Sequence, residues 1–112
     1  MNFIRGIANA GVLNGPEFTI EALPVSCTGP VILGIRPEYV SLVDHSEADI
    51  VAPVYAVEFM GQSTMATVLI AGEQLSFMLT AAVPLQVGSP VGLKFDRSQM
   101  FLFDEKTESR IR

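Results

Sequence analysis

The residues best equipped for chemistry in this chain are His45 and the acids around it, Asp44, Glu47 and Asp49. One imidazole beside three carboxylates could ligate a divalent cation or relay a proton. Nothing in the sequence imposes a ligand spacing on them, and Asp44-His45-Ser46-Glu47-Ala48-Asp49 reads as a solvated surface turn. Cys27 is the only cysteine and His45 the only histidine. With a single histidine to activate it, Cys27 reads as a small, half-buried residue rather than a nucleophile. Nor can one cysteine build a disulfide framework or a thiolate metal cluster. The 112 residues contain no Gly-x-x-x-x-Gly-Lys-Ser/Thr phosphate loop, since Lys94 is followed by Phe95 and Lys106-Thr107 lacks the preceding glycine. They contain no Gly-x-Ser-x-Gly either. The remaining carboxylates mostly fall in turns and on outward faces, where the sequence offers no obvious cause for a shifted pKa. No catalytic, metal-ligating or cofactor-binding residue is expected, and the chain reads as a non-enzyme.

The elements that position these residues are strands. The chain is organised around Leu33-Gly34-Ile35-Arg36-Pro37-Glu38, where the apolar run Val31-Ile32-Leu33 is broken by glycine and then by a charged triplet. Pro37 lacks an N–H and forces Arg36 into an extended conformation, so the strand must end there. Pro37 also suits the first position of a helix, and Glu38 then complements the positive dipole end. One short helical turn is predicted after Arg36. A guanidinium at such a corner is expected to bond a carbonyl or a carboxylate, with Arg36 and Glu38 acting as an ion pair or cap.

On either side of that corner the pattern is β. Phe3 to Ala10 reads as a strand, with Asn14-Gly15 as a hairpin signal. Glu17 to Leu23 alternates, with Phe18, Ile20 and Ala22 on one face. Residues 24–30 are looser, and Tyr39 to Val43 continues as a short extended piece. Ile50 to Phe59 is apolar on both faces, and Pro53 predicts that part of it lies at a sheet edge. Thr64–Ala71 and Gln74–Leu79 should follow it as an antiparallel meander. A connector over 83–90 leads to the alternating Val91, Leu93 and Phe95, and then to Met100–Phe103. Short strands with frequent turn signals and no long helical period point to a small barrel or sandwich. Residues 1–104 are expected to form one domain and 105–112 a charged, frayed tail.

Apolar residues reach 49% and charged ones only 17%, yet no apolar run approaches the ~18 residues of a membrane-spanning helix. The N-terminus does not resemble a signal peptide, and a cytosolic setting fits the cysteine usage. The formal net charge is −5 with Lys and Arg scattered, which argues against nucleic acid. Such an apolar surplus suggests that some surface faces another protein. On Ile50–Phe59 and the following methionine, the candidates are Val51, Tyr55, Val57, Phe59 and Met60.

Leu33-Gly34-Ile35-Arg36-Pro37-Glu38-Tyr39-Val40 resembles the "LGIRPEH" signature of the TOBE domains that follow the nucleotide-binding domain in sugar and glycerol-3-phosphate type ABC importer ATPases. Met1-Asn2-Phe3 is similar to the "MN(F/L)" at the handover between the two domains. Val57-Glu58-Phe59-Met60-Gly61-Gln62-Ser63-Thr64 resembles "VE-x-x-G-x-x-T", Val87-Gly88-Ser89-Pro90-Val91 resembles "G-x-x-V", and Phe101-Leu102-Phe103-Asp104 resembles "H-L-F-D". Tyr39 and Phe101 stand where the family often has histidine, so contacts of those histidines do not carry over.

The resemblance implies an all-β, OB-like (MOP/TOBE-type) antiparallel barrel, with Gly34, Arg36, Pro37 and Glu38 as its signature corner. It implies a regulatory and dimerisation domain of an ABC importer ATPase subunit, moving a sugar or glycerol-3-phosphate-like solute, without ATPase activity of its own. Expected partners are a sister regulatory domain, the nucleotide-binding domain of the same parent chain and a regulatory protein. The place would be the cytoplasm, peripheral to the inner membrane through the transporter. Related barrels bind oxyanions such as molybdate, so an oxyanion sensor is the alternative, with Ser63 and Thr64 as donors.

Overall fold

The computed structural model describes residues 1–80 and 84–111. The strands are β1 (Asn2–Asn9), β2 (Val12–Asn14), β3 (Thr19–Ile20), β4 (Gly29–Ile35), β5 (Val40–Val43), β6 (Ile50–Phe59), β7 (Thr64–Ile70), β8 (Glu73–Leu79), β9 (Pro90–Phe95), β10 (Phe101–Asp104) and β11 (Arg110–Ile111). Single 3-10 turns occupy Pro37–Tyr39, His45–Glu47 and Arg97–Gln99. Every pairing is antiparallel, in a six-stranded sheet ordered β11-β10-β4-β1-β2-β3 and a five-stranded sheet ordered β5-β9-β6-β7-β8. The expected all-β architecture, the meander β6-β7-β8 and the helical turn after Arg36 are all present.

The first sheet follows from period-two alternation. On β1, Asn2, Ile4 and Ala8 are buried while Phe3, Arg5 and Ile7 face out. Inward residues of both sheets, among them Ile4, Leu33, Leu102, Phe77, Leu93 and Phe95, share one core. Three side chains tie the sheets together from outside that core. The Asn2 carboxamide bonds the Ser76 backbone twice, Arg97 donates to the Glu21 carbonyl, and the Glu17 carboxylate accepts from the Ala71 N–H.

The structure departs from the sequence expectations in three places. The first hairpin turns at Ala10-Gly11, not at Asn14-Gly15: both central residues have positive φ, 53° and 78°, as a type I′ turn requires. Asn14-Gly15 opens the next reversal, with Gly15 N–H donating to the Phe18 carbonyl at 2.9 Å. Next, β6 lies inside its sheet's strand order and not at the end, while the register still leaves the Pro53 half laddered on one side, as expected. Ile50–Pro53 pair with β9 and Val54–Phe59 with β7, so Pro53 sits where the strand changes partners, opposite Pro90. Neither proline can donate, and just past that pair the Val54 N–H bonds the Ser89 carbonyl at 2.9 Å and the Gly88 N–H bonds the Val54 carbonyl at 2.8 Å. Lastly, the tail returns to the sheet, where Arg110 and Ile111 pair with Phe103 and Leu102. Of the connector expected over 83–90, Val83 lies outside the described residues. A turn at Gln86–Ser89 with Gly88 at φ 93° ends the rest.

Candidate interaction surfaces

At the signature corner, Ile35 points into the core, so strand alternation sends Arg36 outward. Arg36 is extended at φ −79° and ψ 148°, and its carbonyl accepts from the Tyr39 N–H at 3.0 Å to start the 3-10 turn. The ion pair or cap expected of Arg36 and Glu38 is not formed. Both side chains are exposed, and among the described residues neither has a hydrogen-bonding or charged partner. Pro37 holds the first helical position as expected.

Gly34 contributes something that its place in the signature did not reveal. It is buried on the outer side of the six-stranded sheet, under side chains of its neighbours. A Cβ there would stand 2.9 Å from Met1 Sδ, 3.3 Å from Phe103 Cε2 and 3.4 Å from Phe3 Cε1. The ladder places Phe3, Gly34 and Phe101 in one row, and Arg5, Ile32 and Phe103 in the next. Phe3 and Phe103 meet edge-on across these rows, ring centroids 6.5 Å apart at 62°. Arg110 lies 4.6 Å above the Phe101 ring. Arg5 reaches Glu73 at 3.3 Å and Glu105 at 4.0 Å, both at the surface. Phe3 itself is 52% exposed. This aromatic face escaped sequence reading because Phe3, Phe101 and Phe103 are far apart in the chain and alternate with core residues.

The β6 candidates divide between two places. Val51 and Tyr55 project to solvent beside Pro53. A register shift between Val54 and Ala56 then inserts an extra residue, a bulge that reverses which side faces the core. Val57 consequently packs partly into the core. Phe59, opposite the buried Thr64, projects at the barrel rim, 64% exposed, with Met60 beside it at the hairpin tip. Val51 and Tyr55 therefore do not share one surface with Phe59.

The acids around His45 separate likewise. Asp44 holds its carboxyl below the usual range through the Ser46 hydroxyl and backbone N–H, and stays at the surface. Asp49 turns inward instead. Its two oxygens each lie 2.7 Å from a different guanidinium nitrogen of Arg97, and one accepts from the Phe95 N–H at 2.8 Å. Burial pushes the Asp49 pKa up, but the Arg97 and Phe95 hydrogen bonds and the Arg97 charge outweigh it and hold the carboxyl low. This pair floors an open cleft of about 540 Å³ that Lys94, Glu21 and Glu47 also line. Asp49 was expected in the solvated turn; its one signal was lying next to the buried strand start Ile50. Cys27 is half-buried, and burial pushes its thiol pKa up, away from the thiolate a nucleophile needs. Of the oxyanion-donor candidates, Thr64 is wholly buried, and the Ser63 carbonyl closes the hairpin by accepting from Met60.

Two packed antiparallel sheets, a strand-to-3-10 corner at Arg36-Pro37 and the bare Gly34 beneath aromatic side chains define a small OB-like β domain. The TOBE domain family model matches residues 33–103, and the chain belongs to that family. It is 28% identical over 126 residues to the uncharacterized ABC transporter ATP-binding protein YcjV of Escherichia coli O157:H7, covering all of this chain and 34% of that protein. It is also 28% identical over 120 residues to the sn-glycerol-3-phosphate import ATP-binding protein UgpC of Salmonella choleraesuis (strain SC-B67), covering 99% of this chain and 33% of that one. The chain thus spans about a third of the length of the curated relatives it matches. Among solved structures, the cytoplasmic molybdate-binding protein ModG, with molybdate bound, superposes with a TM-score of 0.64 at 18% identity, over 90% of this chain and 94% of that one. That likeness is one of fold. Among the described residues no helix is long and apolar enough to cross a membrane.

Proposed function

We propose that this chain is the regulatory domain of an ABC importer's ATP-binding subunit, paired with a sister copy and without ATPase activity of its own. The observation that carries this reading is the alignment of the whole chain with one third of ATP-binding subunits such as UgpC. In the parent transporter the domain would sit beside the nucleotide-binding domain on the cytoplasmic side of the inner membrane. It would modulate import of a sugar or a glycerol-3-phosphate-like solute and offer its exposed surface to a regulatory protein. The absence of any phosphate loop from the 112 residues agrees with a non-catalytic role.

The shared fold with ModG favours a second reading, an oxyanion-binding barrel. Thr64, wholly buried, offers it no open donor to pair with Ser63 at the hairpin. Calorimetric titration of the chain with magnesium ATP and, separately, with molybdate separates the readings. Neither ligand should bind. Saturable ATP binding would contradict the regulatory reading, and saturable molybdate binding would favour the second.

A further inference from the structure

Asn14 is followed by glycine, and that pair carries a chemistry that the regulatory role does not use. A backbone amide nitrogen can attack the side-chain carboxamide carbon of the asparagine before it. The new N–C bond closes a five-membered succinimide, and ammonia leaves with the proton of the attacking amide. Water then opens the ring at either carbonyl, giving aspartate or isoaspartate. The net change is one water taken up and one ammonia lost. Glycine crowds the attack least because it has no Cβ. The other asparagines, Asn2 and Asn9, precede Phe3 and Ala10, whose side chains hinder it.

The fold withholds both reacting groups at Asn14-Gly15. Asn14 ends β2 in a ladder on both sides, opposite Ile7 of β1 and Thr19 of β3, so its backbone is extended. Ring closure requires Asn14 to turn its ψ out of that region. The Asn14 carboxamide oxygen also accepts from the Thr19 hydroxyl at 3.3 Å. On the other side of the bond, the Gly15 N–H donates to the Phe18 carbonyl at 2.9 Å. The buried Phe18 ring fills the space that a Gly15 Cβ would need.

We propose that Asn14 is a deamidation site, protected by the closed β2–β3 reversal and exposed when that reversal opens. β3 has only two residues and ends the strand order of its sheet, so this corner can open without global unfolding. Isoaspartate carries the main chain through one extra methylene group, and residue 14 then no longer faces Ile7 and Thr19 in register. An opening that lasts long enough to react is thereby recorded in the chain and hinders its own closure.

Peptide mass spectrometry of the 112-residue chain, held in mildly alkaline buffer with and without concentrated urea, tests the site. In urea, Asn14 should convert well ahead of Asn2 and Asn9. In buffer alone its conversion should be slower by about tenfold or more. Phe18→Leu removes the ring over Gly15 while keeping an apolar anchor, and should speed conversion in buffer but not in urea. The isoaspartate product, separated and returned to buffer, should melt below the wild type. Asn14→Asp, which keeps the ordinary backbone, should melt near it. Equal rates with and without urea, or no conversion of Asn14 in urea, would overturn the proposal. An isoaspartate chain that melts with the wild type would overturn the hindered closure and leave the site standing.

Discussion

The side chain of Asn2 treats the backbone of Ser76 as a neighbouring strand would. Its Nδ2 donates to the Ser76 carbonyl at 2.6 Å, and its Oδ1 accepts from the Ser76 N–H at 2.8 Å. A carboxamide has the same donor and acceptor pair as a peptide unit, so one residue of β1 stitches itself to the edge strand β8 of the other sheet. Asn2 is 8% exposed, and little water reaches the seam. Asn2→Ala should therefore strand a donor and an acceptor and cost about 2–3 kcal/mol. Asn2→Asp should also destabilise, because a carboxylate restores the acceptor and faces the Ser76 carbonyl with the other oxygen. Urea unfolding of the two variants checks this, and an unchanged midpoint would remove Asn2 as the seam.

The Asp49–Arg97 pair predicts a particular acid response. The folded pKa of Asp49 lies below its unfolded value of about 3.9. The pair therefore contributes stability that is fully present above that pH and is lost as pH falls through the folded pKa. Asp49→Asn should be less stable than wild type at neutral pH by about 1–3 kcal/mol. Below about pH 4 the gap should narrow, since the unfolded chain's carboxyl then takes up a proton that the folded one accepts only in stronger acid. Equal gaps at pH 7 and in acid would show that the charge contributes nothing.

Ala10 is held at φ 53° in the first hairpin turn, a left-handed conformation that alanine disfavours. Ala10→Asn converts the turn to Asn-Gly, the preferred type I′ pair, and should raise stability by about 0.5–1 kcal/mol. Thermal unfolding reads the change directly, and a lower midpoint would contradict it.

Gly92 predicts the opposite sign. A Cβ there would stand 2.8 Å from the Val43 carbonyl oxygen and 3.0 Å from Ala48 Cβ, where the chain after β5 crosses β9. Since backbone must yield, Gly92→Ala should destabilise by about 1–3 kcal/mol. Retained stability would mean that the 44–49 turn moves freely.

Legibility in the sequence followed the range of each interaction. Strand alternation is local, so the meander β6-β7-β8 and the run through Val91, Leu93 and Phe95 could be read directly. The Arg36-Pro37 corner depends on proline's own covalent geometry and was equally plain. Asn2 entered only through the resemblance of Met1-Asn2-Phe3 to a family junction, because its partner lies 74 residues away. Arg97 was invisible for the same reason, 48 residues from Asp49. Arg36 was assigned a bond because a charged residue at a corner commonly finds one, but alternation from Ile35 turned it outward. Of the β6 candidates Val51, Tyr55, Phe59 and Met60 are exposed, but a single inserted residue at the bulge changes which face the later residues occupy, and nothing in the residue types marks it.

As proposed above, this TOBE domain would control transport without taking part in the ATP site. The direct measurement compares the longer ATP-binding subunit implied by that reading with the same subunit lacking residues 1–112, both reconstituted with their membrane partners. ATP hydrolysis and solute uptake are followed side by side. Magnesium ATP should still be bound and hydrolysed by the shortened subunit while the control of uptake changes. Loss of ATP binding from a shortened subunit that remains folded would contradict it, because the domain would then supply part of the nucleotide site.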